Sequence, residues 1–254
     1  MIRVYIGDIG TIDSAAAERL FLCLGAERKE RVTRYKREKD RLLGIGAGVL
    51  LSLALSEELK RESGGNAANL GKSVRNEDFL TNTRPDAGTE ILLTEVGFVS
   101  LDTAGFPSPE DLETGSGAHG KPYLKRYPDF HYNISHSGTK VMLVCSDAEI
   151  GCDIEKHGQV RERIVRKAFA QAEQEYVFAA EGGERDARFT EVWARKESFL
   201  KAAGTGIERE MDTFSVIGKN GKPAVTVTAE KGMFEILSPA EVSGYACFIC
   251  VKRG

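Results

Sequence analysis

The chain has 254 residues, enough for one large domain or two small ones. With 41% hydrophobic residues, 29% charged residues and a net charge of −3, it is too apolar for a disordered chain and too polar for a membrane-embedded one, and it has no bulk electrostatic pull toward nucleic acid. Five cysteines cannot all pair, which argues against a disulfide framework and for a cytoplasmic protein with free thiols. Arg3, Asp8 and Asp13 precede any long apolar stretch, so the N-terminus does not read as an export signal. In that compartment the sequon Asn133-Ile134-Ser135 carries no glycan.

In chain order, residues 1–7 read as a strand and 14–24 as a helix. Residues 28–41 hold eight basic and three acidic side chains, a locally positive stretch. It runs into the apolar residues 42–55, which are fewer than the ~20 of a membrane span and predict a buried helix. Residues 61–89 are polar and glycine-rich without periodicity and predict a mobile insertion; 102–119 read as a second loop. Between them 91–100 reads as a strand. Residues 130–133 and 141–145 predict a hairpin turning around Ser135-His136-Ser137-Gly138, and 150–154 a further strand. Residues 161–169, 173–180 and 189–203 read as helices, the last stopping at Gly204. Strands are expected at 214–217, 224–227, 233–237 and 245–251. The fold class is therefore α+β.

Four short segments could carry chemistry. On the strand Gly151-Cys152-Asp153-Ile154-Glu155, Asp153 and Glu155 face the same way. They form either a solvated strand face or a site for a hard dication; Mg²⁺ typically takes one or two carboxylates plus substrate phosphates. In Trp193-Ala194-Arg195-Lys196-Glu197-Ser198-Phe199-Leu200-Lys201, Glu197 and Lys201 are i,i+4 neighbours, with Trp193 on their face. They read as an ordinary ion pair, or as a metal ligand and a phosphate-binding ammonium one turn apart. Asn133-Ile134-Ser135-His136-Ser137 is a polar turn or an anion cradle. In Gly120-Lys121-Pro122 the proline fixes the local backbone and so restrains Lys121. Cys247-x-x-Cys250 shows no further zinc ligands and reads as buried structure. His119, His131 and His157 read as surface or core residues.

Taken in this order, GKP, NISHS, IGCDIE and WARKESFLK resemble the 4′-phosphopantetheinyl transferases, in their larger, surfactin-synthetase-activating type. The resemblance covers residues 120–201 well. It is weaker at the basic N-terminal segment and at Gly244-Tyr245, and 60–119 lie outside it. It implies two similar halves related by a pseudo-two-fold axis, each a small antiparallel sheet packed with helices. Residues 1–147 would hold the basic coenzyme A-binding segment and the insertions at 61–89 and 102–119; residues 148–254 would hold the metal and catalytic motifs.

The implied activity is Mg²⁺-dependent transfer of the 4′-phosphopantetheine arm of coenzyme A, the co-substrate, to a serine of an apo acyl or peptidyl carrier protein, releasing 3′,5′-ADP. A cytoplasmic monomer is implied, with no nucleic-acid or membrane partner. Carried over residue by residue, Asp153, Glu155 and Glu197 resemble the metal ligands, and Lys201 the lysine on the pyrophosphate. Lys121 and Pro122 resemble residues beside the adenine, and Ser135 and His136 residues on the nucleotide's phosphates. Arg28 and Arg31 fall where basic residues meet the 3′-phosphate, and Glu173 resembles another active-site glutamate. Glu197 and Glu173 are the candidate bases. Gly44 stands where many relatives carry an arginine, for which Arg41 would substitute. The other readings are a catalytically silent coenzyme A or carrier-binding module, and a different Mg²⁺-dependent nucleotide transferase, for which no glycine-rich phosphate loop is present.

Overall fold

The computed structural model describes residues 1–63, 90–117, 120–206, 211–230 and 232–253, and the backbone of 72–75. Most of the insertion expected at 61–89 lies outside the described residues, as does His119.

The chain opens with β1 (Ile2–Asp8), followed by α1 (Ser14–Leu22), α2 (Ala26–Thr33) and α3 (Glu38–Glu62). Asp13 starts α1 by accepting the Ala16 N–H at 2.7 Å, satisfying a donor that the first helical turn leaves free. The apolar run 42–55 is the middle of the 25-residue helix α3, extended at both ends by charged turns. Glu38 and Asp40 lie in its first turn and Lys60 and Arg61 in its last, each sign suiting its end of the helix dipole. By length and composition this helix could cross a membrane; 78% of its most apolar window is buried inside the protein. Gly44 has no side chain because α2 lies on it: a Cβ would come within 2.8 Å of the Val32 side chain. An arginine could not stand there without moving α2.

Next come β2 (Lys72–Arg75), β3 (Ile91–Val96), the small β4 (Thr114–Ser116) and β5 (Pro122–Leu124), then β6 (His131–Ser137) and β7 (Lys140–Ser146). β2 falls inside the segment expected to lack regular structure, and β4 inside the loop expected at 102–119. Ser135, His136 and Ser137, expected in a turn, are the last three residues of β6. The turn is Gly138-Thr139, with Gly138 at φ 58°. Strands β2-β3-β1-β7-β6 form one sheet. It is mixed rather than antiparallel, because β1 runs parallel to β3. The helical excursion through α1–α3 supplies the long crossover that parallel strands need.

The second sheet, in the order β8-β11-β10-β9, is antiparallel as expected; it comprises β8 (Ile150–Lys156), β9 (Thr226–Ala229), β10 (Gly232–Leu237) and β11 (Tyr245–Arg253). Residues 214–217, expected as a strand, contribute only an isolated bridge between Ile217 and Pro223. The helices α4 (Glu162–Ala168), α5 (Gln171–Phe178) and α6 (Gly182–Ala203) precede β9. Gly204 ends α6 in the left-handed conformation, as the sequence indicates.

Alternation along the strands produces three cores. Ile2, Val4, Ile6, Met142 and Val144 of the first sheet meet Ile150, Cys152, Ile154, Cys247 and Ile249 of the second. Tyr5, Val141, Leu143 and Cys145 point outward into α1–α3. Phe234, Ile236, Ala246, Phe248 and Cys250 point outward into α4–α6. Cys247 and Cys250 therefore bury on opposite faces of β11, which suits the structural reading and no shared metal.

The first of these cores leaves Gly151, Asp153 and Glu155 on the opposite face of β8, toward α6. At Gly151 the contact is backbone on backbone: a Cβ would lie 2.2 Å from the Ala202 nitrogen and 2.3 Å from the Ser198 oxygen. Gly151→Ala should therefore lower stability by about 1–3 kcal/mol or more, since main-chain atoms cannot swing aside. Urea unfolding followed by circular dichroism checks this. An unchanged midpoint would show that α6 does not press on β8 there.

Candidate active site

Three elements deliver side chains to one place: the end of β6, the middle of β8 and the last turns of α6. The close approach at Gly151 sets α6 so that Lys201 Nζ lies 2.6 Å from Asp153 Oδ1 and 4.0 Å from Glu197 Oε2. Ser135 Oγ donates to the same Asp153 oxygen at 2.7 Å and accepts from Lys201 Nζ at 3.2 Å. Ser137 Oγ donates to Glu155 Oε2 at 2.8 Å. Asp153 and Glu197 are almost fully buried, whereas Glu155 is half-exposed.

The electrostatics follow from this crowding. Burial pushes the Glu197 carboxyl above the usual carboxylate range; Lys201 opposes the shift, while Asp153 and Glu155 add to it. Burial also raises Glu155, with the Ser137 hydroxyl opposing and Asp153 reinforcing. Burial alone would lower Lys201, but the neighbouring anions, Asp153 foremost, hold it above its ordinary value. His136 is lowered by partial burial and by the positive charges of Lys201 and Arg28.

The donor set suits a hard cation. The second oxygen of Asp153, Oδ2, is buried without a hydrogen-bond partner, and the facing surfaces of β8 and α6 carry three carboxylates against one ammonium. The residues are not gathered into a ready-made cage: among the described residues no three His, Cys, Asp or Glu side chains are close enough to hold a metal ion. Lys201 stands among them.

Arg28 and Arg31, one turn apart on α2, line a small pocket with Gly48, Leu112, Thr114 and Pro122. Burial and the Arg31 charge both lower the Arg28 pKa, a sign of uncompensated positive charge. Glu27 is also at this pocket but is engaged by Thr114. Arg41 does not line it. Lys121 is placed otherwise than expected: its Nζ donates to the Ile150 carbonyl at 3.1 Å and the Ala202 carbonyl at 3.3 Å, tying β5 to β8 and to the end of α6. A further pocket of about 510 Å³ adjoins Glu155, walled by Val160, Ile164, Phe189 and Trp193.

Glu173, expected among the active-site acids, lies elsewhere. It is fully buried, with Lys196 Nζ at 2.7 Å, the Val216 N–H at 2.7 Å and the Ala170 N–H at 2.8 Å on its carboxylate. Lys196 Nζ also donates to the Phe214 carbonyl. Burial raises Glu173 and lowers Lys196, and their attraction opposes both shifts. So enclosed, Glu173 is part of the scaffold under α6. Sequence spacing alone marks neither Ser137, which joins the site, nor Lys196, which joins the scaffold with Glu173. The alternation of Asn133, Ser135 and Ser137 finds the first once β6 is known to be a strand through Ser137. Lys196 adjoins Glu197 on a helix, where consecutive residues diverge by about 100°.

A family model for the 4′-phosphopantetheinyl transferase superfamily matches residues 149–250, the stretch that holds Asp153, Glu155, Glu197 and Lys201. Over these residues the chain is similar to this superfamily. It is 30% identical over 144 residues to the 4′-phosphopantetheinyl transferase Sfp of Bacillus subtilis, a match covering 56% of this chain and 64% of that protein. It is 36% identical over 108 residues to another 4′-phosphopantetheinyl transferase of Bacillus subtilis, covering 42% and 48%. With the 4′-phosphopantetheinyl transferase gsp of Aneurinibacillus migulanus the identity is 28% over 141 residues, covering 56% and 59%. The matches thus span 48% to 64% of the length of these relatives. A solved structure, the holo-[acyl-carrier-protein] synthase of Thermotoga maritima, overlaps 42% of this chain and 64% of its own at 22% identity and a TM-score of 0.35, too little to bear on the fold.

A carboxyl whose pKa is higher folded than unfolded opposes folding once ionised. The penalty is present above the folded pKa and gone below the unfolded one. Glu197→Gln should therefore raise the thermal midpoint of the metal-free protein near pH 8. The gain should shrink toward about pH 4, below the ~4.3 of an unfolded glutamate. Calorimetric scans across that range check it; a gain that grew on acidification would reverse the sign assigned to Glu197.

Proposed function

We propose that this chain transfers the 4′-phosphopantetheine arm of coenzyme A to a serine hydroxyl of an apo acyl or peptidyl carrier protein, in a Mg²⁺-dependent reaction that releases 3′,5′-ADP. The observation that carries the reading is the meeting of Asp153, Glu197, Lys201 and Ser135 where the two sheets join, with Asp153 Oδ2 unpartnered. Asp153, Glu155 and Glu197 would hold the cation. When bound, Mg²⁺ supplies charge neutralisation at the pyrophosphate.

The chain's own residues do the rest. Arg28 and Arg31 offer guanidinium groups to the 3′-phosphate, where charge-assisted bonds are strong. The ammonium of Lys201 faces negative charge that grows on the leaving 3′,5′-ADP, so it favours the transition state over the ground state. Of the two candidate bases, Glu197 remains, since Glu173 is enclosed. Its carboxylate, on the face that meets Lys201, would accept the proton of the attacking serine. The pocket beside Glu155, with Phe189 and Trp193 among its walls, suits the arm or the carrier surface.

The halves 1–147 and 148–254 each supply one wall, the first through α2 and β6, the second through β8 and α6. This supports a site completed within one chain, as a monomer requires. All five cysteines are free thiols, which suits a reducing cytoplasm.

The test is mass spectrometry of an apo carrier incubated with the protein, coenzyme A and Mg²⁺. A gain of one phosphopantetheine is expected, lost with EDTA. Asp153→Ala should retain the fold and transfer at less than a tenth of the wild-type rate, a loss exceeding ~1.4 kcal/mol of transition-state stabilisation. Coenzyme A binding with no mass gain on any carrier of a panel would leave a silent binding module instead.

The arginine pocket makes a separate expectation. Arg28→Ala with Arg31→Ala should weaken coenzyme A by at least about tenfold and 3′-dephospho-coenzyme A much less, because only the first carries the phosphate that two guanidinium groups can pair. Calorimetric titration of both ligands decides it, and equal weakening would remove these arginines from the 3′-phosphate.

A further inference from the structure

The strand β6 meets β8 through side chains. Asn133 Oδ1 accepts the Cys152 N–H at 3.0 Å. Ser135 Oγ donates to Asp153. Ser137 Oγ donates to Glu155 at 2.8 Å and accepts the Lys156 N–H at 3.1 Å. Three alternate residues of one strand thus engage successive groups of the other, both chains running the same way.

Asp153 is secured twice over, by Ser135 and by Lys201. For the Glu155 carboxylate, Ser137 is the one hydrogen-bond partner among the described residues. Glu155 is half-exposed and has three side-chain torsions, and Asp153 on the same face repels it. A free glutamate in that position gains rotamer entropy and relieves repulsion by turning out to solvent. The Ser137 hydroxyl cannot follow, because the Lys156 N–H fixes its lone pair and so aims its proton.

We propose that Ser137 is a positioning residue for the cation site: by holding Glu155 beside Asp153 it keeps the second β8 carboxylate available as a ligand. This rests on the Mg²⁺-dependent reading above. Partners that orient a metal-ligating group typically govern about 10–100-fold in metal affinity.

The test is calorimetric titration of Mg²⁺ into the full chain saturated with coenzyme A. Ser137→Ala should weaken Mg²⁺ about tenfold. Ser137→Thr, which keeps the hydroxyl on a strand that tolerates branching, should stay within about threefold of wild type. In transfer assays the KM for Mg²⁺ should rise in Ser137→Ala by a larger factor than kcat falls. Adding Ser137→Ala to Glu155→Gln should cost nothing further, since the serine acts through that carboxylate.

Wild-type affinity in Ser137→Ala would overturn the proposal and leave the Mg²⁺ reading standing. So would a further tenfold loss in the Glu155→Gln background, or failure of the threonine variant to restore binding. Absence of Mg²⁺ binding by the wild-type protein would overturn the Mg²⁺ reading together with this inference.

Discussion

The site depends on one contact, the backbone of α6 resting on Gly151 of β8. A helix normally stands off a sheet by the length of the intervening side chains. Here that layer is missing at one residue, and the last turns of α6 drop onto the strand. Glu197 and Lys201, both in those turns, come down over the face of β8 that carries Asp153. Lys121 secures the same junction, donating to one carbonyl on each side of it and adding a positive charge at the helix C-terminus. The GKP motif is thus tied to the site through the frame.

Two charge clusters flank α6, and the contrast between them separates scaffold from chemistry. Around Glu173 every demand is met: a lysine and two backbone amides serve the carboxylate, and a carbonyl takes another lysine proton. Such a pair adds little net stability, yet removing one partner costs much because the other is left buried and unpaired. Around Asp153 the negative charge exceeds the positive and one buried oxygen has no partner. A protein tolerates that imbalance where something else completes it, and the shifts of Glu155 and Glu197 toward protonation express the same deficit.

The local parts of this arrangement were legible in the sequence. The alternation of Ile150, Cys152 and Ile154 with Gly151, Asp153 and Glu155 put both carboxylates on one face, and helical spacing put Lys201 beside Glu197. What spacing cannot give is the partner across the fold. Glu173 looked like a site acid because its neighbourhood in the sequence resembled one, and only the packing of α5 against α6 encloses it. The resemblance places Lys121 beside the adenine, and the carbonyls it holds, 29 and 81 residues away, are out of reach of sequence spacing. The parallel pairing of β1 and β3 was hidden for the same reason: their connection runs through three helices and the insertion, which carried no periodic signal. Ser135 and Ser137 suggested a turn by composition, yet the alternation that places them toward β8 belongs to a strand.

Arg195, Lys196 and Glu197 are consecutive, and each needs a different environment. Arg195 lies over the Phe248 ring at 4.2 Å, Lys196 enters the core toward Glu173, and Glu197 faces the cleft. Three charges a hundred degrees apart leave the helix one permitted rotational phase. Any roll of α6 would strand an ammonium in the core or a guanidinium in the cleft. The helix therefore behaves as a keyed shaft: substitutions along its solvent side leave the key intact, whereas inserting a single residue between Glu197 and Ser198 would turn the three charges about a hundred degrees out of register with the turn that Gly151 has brought close.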